Sequence, residues 1–198
     1  MLGSIPTAVW IGKAFYGIDV REFGSGNAGA TNTFRVLGKK AGFPVLFIDI
    51  LKGSAAVALA FLGPISFESP DFRNLQLGLG VAVLIGHIFP VFAGFRGGKG
   101  VATILGVVMC ILPLTCCVAL LVFFTVLIST RFVSLSSMMA GIAFPFILHF
   151  VMHNDEKVLT IFSITVAVLL VITHRKNIVR LFKNQESKIN LFQIQNKS

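Results

Sequence analysis

The sequence predicts an all-α, polytopic integral membrane protein. Seven transmembrane helices form a single domain over residues 1–198, with the N-terminus outside and the C-terminus cytoplasmic. Three observations carry this. The chain is 55% hydrophobic and 13% charged, with a mean hydropathy of +0.87. Soluble domains carry about a quarter charged residues. A soluble fold of this length could not cover so much apolar surface, so the excess faces lipid. Apolar stretches near the ~20 residues a spanning helix needs recur along the chain. The basic residues are also distributed unevenly about them.

The stretches are 1–18, 43–65, 75–95, 101–114, 115–130, 132–151 and 158–173. The first is short for a full crossing. The run from Val101 to Thr130 is too long for one span, and Pro113 offers a break inside it. With an external N-terminus, the inner connections and tail hold every Lys and Arg except Arg73 and Lys157, counting Lys52 near an inner helix end. An even number of spans loses this asymmetry, which is the positive-inside pattern. Cys110, Cys116 and Cys117 lie within apolar runs and read as packing residues, not as a disulfide frame or a metal site. No basic n-region marks a cleavable signal. Residues 187–198 read as a frayed cytoplasmic tail. The net charge of +9 raises nucleic acid as a partner, but the charges sit beside membrane spans, so none is expected.

Three polar segments interrupt this pattern, all on the inner side. The first is GSGNAGATNTFRVLGKKAG, residues 24–42. Ser25, Asn27, Thr31 and Asn32 supply neutral donors and acceptors, and Gly24, Gly26 and Gly29 let the backbone approach a ligand. Arg35 offers a planar fork suited to a phosphate. The plainer reading is an interfacial loop whose cations meet lipid headgroups. It leaves the glycines and asparagines unexplained.

The second segment is GHIFPVFAGFRGGKGVAT, residues 86–103. A helix beginning at Val101 directs N–H groups and its positive end toward Gly97, Gly98 and Gly100, with Lys99 beside them, a phosphate cradle. It is not a nucleotide-binding P-loop, because Ala93 and Gly100 stand where Gly and Ser or Thr are required. His87 falls inside the third span and either orients the loop or meets substrate.

The third segment is THRKNIVRLFKNQE, residues 173–186. If helical, it puts His174 and Asn177 at i, i+3 on one face, with Arg180 further along. His174 suits proton transfer or a hydrogen bond to an alcohol. The rival reading is a basic juxtamembrane helix on anionic lipid. TRFVSLSS, residues 130–137, adds hydroxyls. Ser136 reads as bonded to backbone. Between Ser134 and Ser137 the residues leave the choice open, and Ser137 is carried as the binding candidate.

Many cations and few carboxylates suit a phosphorylated substrate. No His, Cys, Asp or Glu cluster has metal-ligand spacing, so neither metal nor cofactor is expected. A common membrane acyl-transfer signature pairs His with Asp five residues on. Here those positions hold Phe92, Asn154, Val158 and Val179.

The three polar segments, with GSIPTAVWIGK at residues 3–13 and DILKG at 49–53, resemble the acyl-phosphate-dependent glycerol-3-phosphate acyltransferases of bacteria, the PlsY family. The resemblance extends over nearly the whole chain. It implies a seven-helix inner-membrane enzyme with its active site at the cytoplasmic face. Such an enzyme moves a fatty acyl group from acyl phosphate to the 1-hydroxyl of glycerol 3-phosphate. The products are lysophosphatidic acid and inorganic phosphate, the first step of phospholipid synthesis, with neither CoA nor acyl carrier protein as direct donor. The implied partners are glycerol 3-phosphate, a long-chain acyl phosphate and membrane lipid.

Carried over, Ser25, Asn27, Arg35 and Lys99 bind the phosphorylated substrates, and the backbone at 97–100 shapes the phosphate pocket. His174 and Asn177 hold the glycerol part, and Glu186 braces the pocket. Ser25, Lys99, His174 and Asn177 are taken as catalytic. Gly26, Asn27, Gly29, Asn32, Arg35, His87, Gly97, Gly98, Gly100, Ser137 and Glu186 are taken as substrate-binding. The family's last loop usually has Gly where this chain has Asn184, a departure expected to alter the backbone near Glu186. The alternative from the residues alone is a transporter of a phosphorylated small anion. Against it, the polar segments gather at one surface and no repeat pairs two halves.

Overall fold

A computed structural model describes residues 1–189, and its regular elements are helical, with no strand among the described residues. The helices are α1 (Thr7–Tyr16), α2 (Ala30–Leu37), α3 (Lys39–Ala58), α4 (Pro70–Ile88), α5 (Val101–Ile111), α6 (Pro113–Thr130), α7 (Val133–Phe146), α8 (Lys157–Thr173) and α9 (Arg175–Phe182). Each of the seven apolar stretches yields a helix. Among the described residues, four helical segments are long and apolar enough to cross a membrane: Lys39–Leu62, Pro70–Ala93, Pro113–Thr130 and Val133–Val151. The pair α8 and α9, bent by 58°, makes a fifth if counted as one span.

The two short members have local causes. At 1.5 Å per residue, the eleven residues of α5 cover about 16 Å, roughly half of a ~30 Å hydrocarbon core. Pro113 drives the residue before it out of helical conformation, and Leu112 takes φ −137°. Helix α1 stops at Gly17, whose φ of 68° needs no Cβ penalty.

The chain divides into two compact units, Met1–Cys116 and Cys117 onward. In the first, α3 and α5 approach closely because small residues face each other. A Cβ on Gly53 would strike the Thr103 carbonyl, and one on Gly106 would strike that of Ile50. Ser54 Oγ donates to the Gly106 carbonyl at 3.1 Å. Lipid tails are as apolar as leucine, so such backbone proximity drives membrane helix pairing better than hydrophobicity does. Ala28 of the first polar segment is buried in one core with Ala8, Val9, Val20 and Val45.

In the second unit α7 packs on α8, with Gly141 against Leu170 and Phe144 edge-on to Phe162. Phe47, Leu51, Ile85, Leu121, Phe124, Ile128, Ile161 and Val168 point outward, a lipid-facing pattern.

Two expectations change. Residues 24–42 are not one loop, since α2 forms inside them and α3 begins at Lys39. Helix α2 is amphipathic, with Asn32 and Thr33 buried and Thr31 and Arg35 exposed. Lys52 is no flanking cation either. It lies within α3, buried, with Nζ 2.8 Å from Asp49. Of the expected tail, residues 190–198 lie outside the described residues. Ile189 N–H donates to the Arg131 carbonyl at 2.9 Å, and Lys188 stands over the Phe132 ring.

Candidate active site

In the first unit the chain leaves α1 at Gly17 and passes Asp19 and Ser25 before entering α2. Asn32, in the first turn of α2, faces back into this segment. Its Nδ2 donates to the carbonyls of Val20 (2.8 Å) and Phe23 (3.2 Å), and its Oδ1 accepts from Ser25 N (2.8 Å) and Ser25 Oγ (3.1 Å). A primary amide has two donors and two lone pairs, so this one is satisfied by its own chain. Asn32 was expected to touch substrate, but here it fixes Ser25. Gly24 is part of the same arrangement: its φ is 61°, and a Cβ there would collide with Asn32 Oδ1. Ser25, Asn27, Gly29 and Lys99 are half-buried, while Gly26 and Arg35 are exposed.

The second segment departs from the expected cradle. The N–H groups of Gly97 and Gly98 are engaged within the protein, donating to the carbonyls of Ile88 and His87 at 3.2 Å each. The reason is local, because the last carbonyls of α4 have no helical donor and the returning chain supplies one. The glycines are required for closeness: a Cβ on Gly98 would strike His87 Nε2, and one on Gly97 the His87 carbonyl. Helix α5 then starts at Val101 behind Gly100, which has φ 85°. Its own first-turn N–H groups are the ones that lack helical acceptors.

His87 is buried inside α4. Its Nδ1 lies 3.0 Å from Thr103 Oγ1 and 3.8 Å from Asp49 Oδ1. Asp49 also pairs with Lys52 and accepts from Thr7 Oγ1 at 3.1 Å, and Lys52 Nζ donates to the Ile5 carbonyl at 3.1 Å. This buried network lies under the second segment, so the side chain of His87 supports the Gly97–Gly98 turn.

In the second unit His174 occupies the bend between α8 and α9, as C-cap of one and N-cap of the other. Its Nδ1 lies 2.7 Å from the Leu170 carbonyl. A carbonyl only accepts, so Nδ1 carries the proton, and a neutral ring then has Nε2 as its acceptor. Asn177 follows one turn later, buried, with its N–H on the His174 carbonyl.

Glu186 gathers the rest. Its Oε1 accepts from Ser134 Oγ (2.8 Å) and Asn177 Nδ2 (2.7 Å), and its Oε2 accepts from Arg180 Nε (2.7 Å). Burial pushes this carboxyl up, but the hydrogen bonds from Arg180, Asn177 and Ser134 and the Arg180 charge outweigh it, so the group lies below its usual value. Ser134, not Ser137, joins this cluster. Ser137 and Ser136 bond back to the carbonyls of Val133 and Phe132.

Asn184 sets the backbone of this turn. It adopts φ 54°, a left-handed conformation that Asn tolerates better than other non-glycine residues. Gln185 N–H then reaches the Arg180 carbonyl at 2.8 Å and Asn184 N–H that of Leu181 at 3.1 Å. This helix-closing turn folds Glu186 back onto Asn177 and Arg180.

Residues 1–184 match the family model for glycerol-3-phosphate acyltransferase. The chain belongs to that family. A glycerol-3-phosphate acyltransferase of Bacillus cytotoxicus is 48% identical over 190 residues, covering 96% of this chain and 91% of the relative. One from Staphylococcus carnosus is 46% identical over 191 residues, covering 96% and 93%. Among solved structures, the glycerol 3-phosphate form of PlsY (YgiH), an integral membrane glycerol 3-phosphate acyltransferase, superposes with a TM-score of 0.83 at 40% identity, over 97% of this chain and 94% of that one. Its lysophosphatidic acid form gives 0.80 at 39%, over the same shares.

This membrane acyltransferase thus uses its signature residues in two ways. Asn32, His87, Gly97 and Gly98 hold structure, while Ser25, Asn27, Arg35 and Lys99 remain as candidates for substrate. The sequence reading missed Asp19, Arg21, Thr7, Asp49 and Thr103 as participants. For Asp49 and Lys52 a signal existed, because two opposite charges at i, i+3 inside an apolar stretch must pair or face a polar interior.

Proposed function

We propose that the protein transfers a fatty acyl group from acyl phosphate to the 1-hydroxyl of glycerol 3-phosphate. The hydroxyl oxygen attacks the acyl carbonyl carbon, a C–O ester bond forms, the bond from that carbon to the phosphate oxygen breaks, and inorganic phosphate leaves. The hydroxyl proton passes to a base. The products are lysophosphatidic acid and inorganic phosphate. The observation that carries the reading is the family match over residues 1–184, supported by solved relatives in glycerol 3-phosphate and lysophosphatidic acid forms.

In this reading Ser25, Asn27, Arg35 and Lys99 receive phosphate groups, and the first turn of α5 adds backbone donors. His174 offers Nε2 to the glycerol hydroxyl, Asn177 orients it, and Glu186 holds Asn177. Ser134 braces the same carboxylate. Acyl phosphate is already activated, so the protein's contribution is charge neutralisation of the leaving group and positioning. Neither CoA nor acyl carrier protein delivers the acyl group. We assign the chain to the bacterial cytoplasmic membrane as one domain with seven crossings, N-terminus outside and active site on the cytoplasmic face. The uneven distribution of Lys and Arg supports this topology.

The test is phosphate release by purified protein given palmitoyl phosphate, with and without glycerol 3-phosphate. Release that requires glycerol 3-phosphate and accompanies lysophosphatidic acid supports the proposal. Folded protein that releases none, yet accumulates glycerol 3-phosphate in vesicles, overturns it in favour of a transporter.

A further inference from the structure

Arg21 lies in the segment between α1 and Ser25, and its guanidinium is almost fully engaged. Nε and Nη2 donate to the two oxygens of Asp19 at 2.9 and 2.7 Å, and the Arg21 N–H bonds Asp19 Oδ1 at 3.0 Å. Nη1 crosses to the second polar segment and donates to the carbonyls of Ala93 (2.7 Å) and Arg96 (3.2 Å). The side chain is 13% exposed. The bidentate hydrogen bond from Arg21 holds the Asp19 carboxyl far below the usual carboxylate range, and Asp19 in turn raises the guanidinium. An arginine whose charge is matched and whose edges are taken is not a phosphate ligand. It is a clamp.

What it clamps is a strained turn. Between the two bonded carbonyls lie Gly94 at φ 61° and Phe95 at φ 60°. A phenylalanine in the left-handed region costs on the order of 1 kcal/mol and persists where its surroundings over-determine it. Phe95 N–H bonds the Pro90 carbonyl at 2.9 Å, and Arg21 closes the turn from outside. Directly after it come Arg96, the Gly97–Gly98 contact with His87, and Lys99. The other side of Arg21 is equally fixed, because Asn32 grips Val20, Phe23 and Ser25. One six-residue stretch, 20–25, is therefore tied to α2 by Asn32 and to the 93–96 turn by Arg21.

We propose that Arg21, oriented by Asp19, is a positioning residue that sets the Lys99 segment against the Ser25 segment for phosphate recognition. The inference rests on the acyltransferase reading above. Lysine cannot substitute, since a point ammonium cannot bind a carboxylate at both oxygens and two carbonyls at once. Lys13, 60% exposed and 3.5 Å from the same carboxylate, has no link to the second segment and serves as the control.

The experiment compares wild type, Arg21→Lys, Arg21→Ala, Asp19→Asn and Lys13→Ala in detergent, reading kcat and KM for glycerol 3-phosphate alongside thermal stability. We expect kcat/KM to fall about tenfold to hundredfold in both Arg21 variants, the scale of an ångström-level misplacement. Asp19→Asn should lose less and Lys13→Ala nothing. Millimolar methylguanidinium should restore part of the Arg21→Ala loss but none of an Arg35→Ala loss. If Arg21→Ala does not fold, Arg21→Lys decides. Folded Arg21 variants with wild-type kcat/KM, or a loss of stability alone, overturn the inference. An inactive wild type overturns the acyltransferase reading instead.

Discussion

Asn32 Oδ1 accepts from both the backbone N–H and the hydroxyl of Ser25, at 2.8 and 3.1 Å. The same amide holds the Val20 and Phe23 carbonyls through Nδ2. Asn32→Asp keeps the acceptor but loses both donors and sets a carboxylate against two carbonyls. We expect Asn32→Ala to cost about 1–3 kcal/mol through the buried groups it leaves unpaired, and Asn32→Asp to cost more. Thermal unfolding ranks the two, and kcat/KM should fall with both because Ser25 loses its anchor. An Asn32→Asp variant as stable as wild type contradicts this.

Gly98 and His87 are fitted to each other. Gly98→Ala drives a methyl into His87 Nε2, so we expect loss of most activity from a folded enzyme. Shrinking the partner should relieve the clash, so His87→Ala/Gly98→Ala should be more active than the product of the two single effects. Additive effects in this double-mutant cycle would show that the contact is unimportant.

Glu186 gives a pH dependence. Its folded pKa is lowered below the usual value, so its contribution to stability is complete above the unfolded pKa. That contribution is lost as pH falls through the folded one. Glu186→Gln should be less stable than wild type at neutral pH, and the gap should close on acidification through and below the carboxylate range. A gap that widens toward acid contradicts the assignment. Asp19, also held low by its hydrogen bonds from Arg21, should follow the same sign.

Asp49 and Lys52 form a buried ion pair within a span. Removing one partner strands the other charge, a loss of about 3–5 kcal/mol. Lys52→Met should therefore lower thermal stability sharply, and Asp49→Asn added to it should recover part. A double variant no better than Lys52→Met alone would contradict mutual neutralisation.

Lys99 supplies the most direct functional substitution. Lys99→Ala should reduce turnover by ~10²-fold or more, the scale of losing one preorganised electrostatic group. Near-normal kcat would remove Lys99 from the site.

The all-helical membrane class was legible because hydropathy acts over whole segments. Helix α2 was hidden, since its eight residues are amphipathic within a stretch whose glycines look like loop. The three polar segments were visible as composition, but the division of labour inside them was not. Whether an Asn meets substrate or its own backbone depends on where the chain returns, and Val20 and Phe23 return to Asn32 only in three dimensions. The same holds for Gly97 and Gly98, whose N–H groups close the end of α4, and for Arg21, whose Ala93 and Arg96 partners lie more than 70 residues away. Ser134 and Ser137 are chemically alike in sequence, and only the fold of 184–186 selects Ser134.

The central claim is that acyl phosphate is the direct donor. The decisive measurement offers the purified enzyme glycerol 3-phosphate with palmitoyl phosphate, palmitoyl-CoA or palmitoyl-acyl carrier protein in separate reactions. It counts lysophosphatidic acid formed against inorganic phosphate released. The account predicts product from palmitoyl phosphate alone, with one phosphate released per lysophosphatidic acid. Product from either thioester without acyl phosphate, or product formed without matching phosphate, would contradict it.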